Sequence, residues 1–349
     1  MKRRTFFATL AGAALFPTLA ACGPNKKEKQ VIDQLLSSMK PHALGRHIID
    51  LPQGFRMKEG GNGYGSEVDL IYGLDKDFKT TTLFLLNTNA KLVDFYMTVA
   101  KRENELKVHQ NDKLHVPMLI EKKKLSDTLF SILSYDDDSL DKTFRAEFFI
   151  LANGALLHAK SEAYGRSEIQ EVESRLARLA AGTSRQDDPT RPGKGFLFGP
   201  VLIDDNHDHE VGDFYFFNDK LPDIGWSVLI DALTVTPEES LLQRWDSNAL
   251  LYGFGGAFGT VRRGKRTIAG MPGEELLVKY KEHERTALGF KVESRRPRPA
   301  FDSPLMTIDF DSGKQLEGGA YPESSWSVNE ATAVWDAVLN SVRLRPGAV

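Results

Sequence analysis

The sequence has almost no cysteine: Cys22 is the only one among 349 residues. A chain with a single cysteine forms no internal disulfide bond, so its stability must come from a hydrophobic core. Beyond the N-terminal 21 residues, no apolar run reaches the roughly 18 to 20 residues that a membrane-spanning helix needs. These absences predict a soluble body that is held together by packing.

The sequence also lacks an excess of positive charge. It contains 45 basic and 48 acidic residues, for a net charge of −3, and removal of residues 1–21 would take away three basic residues and no acidic one. Nucleic-acid-binding surfaces need basic stripes with interleaved aromatic residues, and no such stripe is found here. We therefore expect no nucleic-acid partner.

What is present begins at the N-terminus, where residues 1–21 have the form of a signal peptide. Lys2, Arg3 and Arg4 are followed by an apolar segment and then by Leu19-Ala20-Ala21-Cys22. Small residues immediately before a cysteine are typical of a bacterial lipobox, in which cleavage frees the cysteine to carry lipid. A lone cysteine can also be a small buried hydrophobic residue, but this context favours lipidation of Cys22.

The predicted lipid anchor sets the expected location. Residues 22–30 are short, polar and charged, and we interpret them as a tether. Gly23 follows Cys22 where an aspartate would favour retention in the inner membrane, so we expect the periplasmic side of the cell envelope and the outer membrane. The paired arginines leave Sec and Tat export both open.

The 328 residues that remain after cleavage predict two domains with two cores. We place an N-terminal domain at residues 31–181, a linker rich in glycine, proline and charge at 182–194, and a C-terminal domain at 195–349. Short apolar runs alternate with helical patterns in both halves. This predicts an α+β fold in which each domain is a mainly antiparallel sheet packed with helices.

Several elements have local signals. Asn153-Gly154 between two apolar runs predicts a hairpin with a type I′ turn. Helical spacing predicts helices over residues 31–39, from about Ala90 with Asn89 as cap, and from Thr236. Capping boxes predict helix starts at Ser167 and Ser327.

Motifs that could indicate chemistry are incomplete. Residues 259–266 approach a phosphate-binding loop, but Arg266 replaces its hydroxyl residue, and we interpret 262–266 as a basic hairpin turn. Residues 204–210 concentrate acidic residues and histidine but do not match a calcium loop. Their two histidines with carboxylates could hold zinc, but they crowd one loop, and we interpret the segment as a solvated turn. The glycines of 253–259 lack the surroundings of a dinucleotide fold. We expect no catalytic residues, metal or cofactor, although a dispersed triad stays open.

Residues 263–275 resemble the C-terminal domain of the type VI secretion lipase-immunity proteins. Residues 303–310 and 333–346 resemble the last strand and helix of that domain, and residues 45–52 extend the resemblance loosely into the N-terminal half. The resemblance implies a two-domain, non-enzymatic inhibitor that binds a phospholipase effector in the periplasm, and we expect it to act by blocking the effector's active site.

Exposed loops would then supply the effector contacts. The candidates are the basic residues Arg262, Arg263, Lys265 and Arg266 and the acidic residues Asp205 and Asp208. Two other classes stay open at this point: a lipid-anchored envelope hydrolase, and a structural envelope lipoprotein. The first would turn over a lipid or ester, and the second would cause an envelope defect when it is deleted.

Overall fold

The computed structural model describes residues 23–60, 65–73, 78–234, 239–252, 258–316 and 318–349. The predicted signal peptide and Cys22 lie outside these residues, as do most of the glycine-rich segment 253–259 and the predicted helix start at Thr236. Within the described residues, no helix is long and apolar enough to cross a membrane.

The described part of the chain contains five α-helices and 21 strands. The helices are α1 Lys26–Ser37, α2 Leu92–Val108, α3 Ile169–Ala181, α4 Leu241–Tyr252 and α5 Val328–Ser341. The strands of the first half are β1 Lys40–Leu44, β2 His47–Leu51, β3 Arg56–Met57, β4 Glu67–Tyr72, β5 Lys79–Asn87, β6 Gln110–Asn111, β7 Val116–Pro117, β8 Leu119–Ser126, β9 Leu129–Tyr135, β10 Phe144–Ala152, β11 Ala155–Ala163 and β12 Thr183–Arg185. Those of the second half are β13 Phe196–Phe198, β14 Val201–Ile203, β15 His209–Phe217, β16 Gly225–Asp231, β17 Phe258–Ile268, β18 Met271–Glu282, β19 Arg285–Ser294, β20 Leu305–Ser312 and β21 Arg343–Leu344.

One antiparallel sheet runs through both halves of the chain. Its strand order is β17-β18-β19-β20-β16-β15-β4-β5-β11-β10-β9-β8, with β3 paired to β15. The halves join where β15 pairs with β4, with Val211 opposite Asp69. The α+β class, with mainly antiparallel sheet, is confirmed.

The main hydrophobic core is also continuous, so the expectation of two separate cores is wrong. Phe148 and Leu83 from the first half belong to the same buried cluster as Phe214 and Phe290 from the second. Backbone pairing between β4 and β15 places apolar side chains of both halves on one face of one sheet, and a single packed layer then covers them. The domain boundaries themselves stay a prediction.

The two faces of the large sheet are covered differently. The first face carries α3, two small sheets (β1-β2-β21 and β12-β14-β13) and α5. Trp335 of α5 stacks on Trp226 of β16 at 5.9 Å between ring centroids, and Phe196 of β13 stacks on Phe214 of β15 at 6.2 Å. On the second face, α2 packs near β8–β10 and α4 packs on β18, which leaves the strands between them uncovered by a helix.

Helix α1 packs on α5 and begins five residues earlier than predicted. Asn25 is its N-cap and forms a capping box with Glu28. The Glu28 carboxylate also accepts a hydrogen bond from the Ser327 hydroxyl at 2.7 Å and from the Asn329 amide at 3.2 Å. The segment that we interpreted as a tether over residues 22–30 is therefore helical from Lys26 onward.

The other local signals had mixed outcomes. The predicted hairpin is confirmed, with Asn153 at φ 47° and Gly154 at φ 88° between β10 and β11. Ser327 caps α5 with Glu330 in the predicted capping box. The predicted cap at Ser167 is wrong, because a 3₁₀ turn over Arg166–Glu168 precedes α3. Helix α2 begins at Leu92, so the predicted start near Ala90 was two residues early.

Candidate functional site

The second face of the large sheet carries a group of carboxylates between α2 and α4. Strand alternation directs Glu67 and Asp69 of β4, Asp213 of β15, and Asp309 and Asp311 of β20 to this face, together with Tyr215. We call these six residues the central acidic face. None of the five carboxylates is buried, and Tyr215 is 39% exposed. The surface is therefore open to a partner.

The register of the strands brings these carboxylates together. Glu67 lies directly opposite Asp213, and Tyr215 is separated from Asp309 only by Ser227 of β16. Directly opposed residues in antiparallel strands have Cβ atoms about 4.5–5.5 Å apart, so Glu67 and Asp213 repel each other. The Tyr215 hydroxyl donates a hydrogen bond to Asp213 at 2.8 Å. The arrangement is electrostatically unfavourable in the free protein.

The pKa values on this face are raised first by loss of hydration and then by that repulsion. Partial burial, reinforced by Asp69 and Asp213, raises the pKa of Glu67. Loss of hydration among the neighbouring protein atoms raises the pKa of Asp311, and Asp309 adds to the rise. Burial and the neighbouring carboxylates raise the pKa of Tyr215 to about 12. A cationic group placed here would relieve the repulsion, since opposite charges favour the ionised carboxylates.

Basic groups on the acidic face itself are few. Lys291 of β19 donates hydrogen bonds to both carboxylate oxygens of Asp309, at 2.8 and 3.0 Å. Lys160 of β11 lies near enough to Glu67 to favour its charged form. Lys314 likewise favours the charged form of Asp311. Five carboxylates against these three lysines leave the face with a negative excess.

A cavity of about 720 Å³ adjoins the central acidic face at the C-terminal end of β15. Its lining includes Tyr215, Phe217 and Asp311 and the cation Lys314. The Arg56 guanidinium covers the Phe217 ring at 4.1 Å from the centroid. Aromatic and arginine side chains around a recess next to a charged surface are typical of sites that receive an anchoring side chain from a protein partner.

The other end of the face carries charges of both signs. A smaller cavity of about 280 Å³ is lined by Lys79, Arg145 and Lys160 together with the exposed aromatic residues Phe78 and Tyr164. Lys79 bonds Glu168 of the 3₁₀ turn, at 3.1 Å. The β10–β11–β5 end of the second face thus combines exposed aromatic residues with paired charges, and the negative excess is concentrated at β4, β15 and β20.

The predicted basic turn is part of a strand, which corrects that interpretation. Residues 258–268 form the edge strand β17, and the turn that follows lies at Ala269-Gly270, both with positive φ. Alternation sends Arg262 and Arg266 to the first face, where both bond Asp336 of α5 at 2.6 and 3.1 Å. Their charges are committed to holding α5 and are not available as a loop surface.

The remaining two basic candidates point to the second face. Arg263 forms a bidentate ion pair with Asp246 of α4, with both contacts at 2.8 Å. Lys265 is exposed and makes no ion pair with the residues that the structure describes. Of the four predicted basic contacts, Lys265 alone is both exposed and free of an ion pair within the described ranges.

The two acidic candidates also hold local structure. Asp205 accepts a hydrogen bond from the Tyr72 hydroxyl at 2.8 Å, and Asp208 accepts one from the Gly73 backbone amide at 2.6 Å. Both therefore fasten the loop before β15 to the end of β4. Strand β15 is five positions from β17 in the sheet, or about 24 Å at 4.8 Å per strand, so the structure does not bring the acidic and basic candidates together.

A buried charge cluster connects this loop and the start of β15 to the turn between β1 and β2. Arg46 donates to both carboxylate oxygens of Glu210 at 3.1 and 2.9 Å, and His207 Nε2 lies 2.9 Å from the same carboxylate. Burial opposes the charged form, but the nearby carboxylates of Asp205 and Glu210 raise the pKa of His207 overall. Within the described residues, no group of histidine, cysteine and acidic side chains is arranged to hold a metal ion.

Comparison with known proteins identifies the second half of the chain. Residues 188–347 match the family described as Tle cognate immunity protein 4 C-terminal domain. This part of the chain belongs to that family. The resemblance to type VI secretion lipase-immunity proteins is therefore confirmed. Four residues of the central acidic face, Asp213, Tyr215, Asp309 and Asp311, lie in the immunity-family segment.

Two solved structures share the fold over most of the chain. A chain of "The crystal structure of Tle4-Tli4 complex" has 20% identity and a TM-score of 0.64, with 89% of this chain and 99% of that chain covered. The apo structure of immunity protein TplEi of T6SS from Pseudomonas aeruginosa has 19% identity and a TM-score of 0.63, with 89% and 98% covered. No curated protein sequence matches this chain. The fold of the immunity proteins thus extends across both halves.

Sequence reasoning missed the central acidic face because its members are dispersed. They stand at alternate positions of three strands, and the first and last of them, Glu67 and Asp311, are more than 240 residues apart in the sequence. The only local signal was alternation itself, as in Glu67-Val68-Asp69 and Asp309-Phe310-Asp311, where a buried residue stands between two carboxylates. Such a pattern predicts a half-buried strand but not its neighbours in the sheet.

Proposed function

We propose that this chain is an immunity lipoprotein that binds and inhibits a cognate type VI secretion phospholipase effector through the second face of its large sheet. The observation that carries the proposal is the match of residues 188–347 to the immunity family. The solved complex of a similar chain with Tle4 supports binding to an effector. The central acidic face is the contact region that the geometry favours, since it combines exposed charge, exposed aromatic surface and an adjoining cavity.

The size of this region indicates how the effector must bind. From β5 to β20 the uncovered strands span about 19 Å, and six residues of strand span about 20 Å, so the central area is about 400 Å². A standard protein interface buries about 800 Å² on each partner. The effector must therefore also contact the flanking regions near α2 and α4, which places both halves of the chain in one interface.

Neutralising the central acidic face tests the contact region. The triple variant Glu67→Gln, Asp213→Asn, Asp311→Asn removes three charges whose pKa values are already raised, so it should fold at least as well as the wild type. We expect its affinity for the lipase to fall roughly tenfold or more at low ionic strength, with a weaker dependence on salt.

A matched control neutralises three carboxylates in loops outside the central acidic face and its adjoining cavity: Asp127→Asn, Asp138→Asn and Asp188→Asn. This control has the same net charge change but leaves the central acidic face intact. Equal affinity of the two triple variants, measured by titration calorimetry at two salt concentrations, would show that the contact region is wrong. Failure of the wild-type chain to bind the lipase encoded beside it would refute the immunity function.

Occlusion of the lipase active site is the proposed mode of inhibition, and the chain itself would perform no chemistry. A small serine-reactive fluorophosphonate should label the free lipase faster than the complex. If the complex is labelled at the free rate while hydrolysis of phospholipid vesicles is inhibited, the inhibition does not act by occlusion. The purified immunity chain should hydrolyse neither phospholipid nor ester.

The proposal includes attachment through lipid on Cys22 and a position on the periplasmic side of the envelope, at the outer membrane. The lipobox of residues 19–22 supports this. Cys22→Ser should leave the chain folded, release it from the membrane fraction and weaken protection of cells against periplasmic lipase. A membrane-bound Cys22→Ser variant, or an intact mass without lipid in the wild type, would refute the anchor.

A further inference from the structure

The distance between the proposed lipid and the folded body is very short. Cys22 precedes Asn25, the N-cap of α1, by only three residues, which span at most about 11 Å when fully extended. The interpretation of residues 22–30 as a tether would have allowed about 30 Å over nine residues. A link of 11 Å keeps the start of α1 close to the membrane surface.

Helix α1 cannot swing independently of the body. Ile32 is buried, and Leu35 and Leu36 pack against the main core. The Glu28 carboxylate accepts hydrogen bonds from Ser327 and Asn329 at the start of α5. The position of α1 relative to the membrane therefore fixes the orientation of the whole molecule.

The layers of the fold place the central acidic face on the opposite side. Helix α1 packs on α5, α5 packs on the first face of the sheet through Trp335, and the carboxylates project from the second face. Packed helices lie 8–10 Å apart, and helix and sheet layers lie at a similar spacing of about 10 Å. These spacings put the central acidic face at most about 20 Å from the axis of α1, on the other side of the sheet.

Charge favours the same orientation. Lys26, Lys27 and Lys29 are exposed in the first turns of α1. Positive side chains are unfavourable at a helix N-terminus, where the backbone dipole is also positive, so these lysines weaken α1 in water. An anionic lipid surface would attract them, and it would repel the central acidic face.

We infer that the anchored protein lies with the α1 side against anionic lipid headgroups and with the central acidic face directed to the aqueous compartment. This inference rests on the proposed lipidation of Cys22 and on the proposed role of the face. Its consequence is that the effector is bound from solution, on the side of the immunity protein that is turned away from the bilayer.

Fluorescence quenching can test this orientation. Because the lipidated chain has no free thiol, a cysteine introduced at Lys27→Cys in α1 or at Ser227→Cys beside Tyr215 can be labelled selectively. The full-length lipidated variants are reconstituted in vesicles of phosphatidylethanolamine and phosphatidylglycerol with a nitroxide on the lipid headgroup. We expect at least threefold stronger quenching at position 27 than at position 227. Equal or reversed quenching overturns the inference.

A linker variant tests the role of the short connection. Twenty glycine and serine residues between Gly23 and Pro24 add a coil of about 25 Å. Quenching at position 27 should then fall toward the value at position 227, and unchanged quenching overturns the role of the link. Intact mass reports lipidation, and lipase inhibition in solution reports the immunity function, so failure of either is distinguished from a wrong orientation.

Discussion

Replacing Arg46 by methionine should destabilise the protein by about 3 kcal/mol. Arg46 and Glu210 are 5% and 1% exposed, and the guanidinium bonds both carboxylate oxygens and the Ala348 carbonyl. Removing one partner of a buried ion pair typically costs about 3–5 kcal/mol, because the other charge is left without compensation. We expect the lower end of that range, since His207 still bonds Glu210. Chemical denaturation followed by circular dichroism measures the loss.

An exposed ion pair supplies the matched control. Arg56 bonds Asp219, but these side chains are 56% and 70% exposed, so Arg56→Met should cost less than about 1 kcal/mol. The double variant Arg46→Met, Glu210→Leu removes both buried charges and should recover part of the stability. A cost for Arg46→Met no larger than that for Arg56→Met, or a double variant less stable than Arg46→Met alone, would refute this reasoning.

Three further predictions concern stability. Burial lowers the pKa of His42 to about 4, so its ionisation should cost up to about 3 kcal/mol of stability as pH falls from 6.5 to 4. The pKa of His47 is lowered to about 4 as well, so His42→Phe should reduce the slope of this part of the stability profile by about half. Hydrogen bonds from His158 and Arg102 outweigh the effect of burial and lower the pKa of Glu147 to about 2. Glu147→Gln should therefore remove about 3 kcal/mol of stability above pH 4.5, and less as the pH falls toward 2. Ser327→Ala should cost about 1 kcal/mol of stability, because it removes the side-chain cap of α5. The control Ser167→Ala should change stability by less than about 0.5 kcal/mol, because Ser167 is not the N-cap of α3. Urea denaturation measures each variant, and equal costs for the two serines would contradict the capping assignment.

Local signals were predictive where the chain itself supplies the stabilising contact. Asn153-Gly154 adopts positive φ at both positions, which such a pair tolerates, so the hairpin forms as the sequence predicts. Ser327 and Glu330 bond each other's backbone within one helical turn. Ser167 has the same spacing to Gln170, yet a preceding 3₁₀ turn satisfies that end of α3 instead.

The basic segment shows how a turn can be misplaced. Gly264 and its charged neighbours resemble a loop, but Gly264 lies within β17 and opposite Glu275. The chain reverses at Ala269-Gly270, a pair with a weaker turn signal because alanine rarely adopts positive φ. Pairing with β18 and the bonds from Arg262 to α5 favour a long strand over the expected hairpin.

The central acidic face illustrates a larger limit of sequence reasoning. Asp213 could be assigned to a strand from its alternating neighbours, but its repulsion with Glu67 depends on β15 pairing with β4. That pairing also joins the two halves into one sheet, whereas two separate cores would have required two separate sheets. The contact that unites the halves is therefore the same contact that concentrates the charge. A partner that binds at this junction contacts both halves at once, and binding it should stabilise the whole chain against unfolding rather than one half alone.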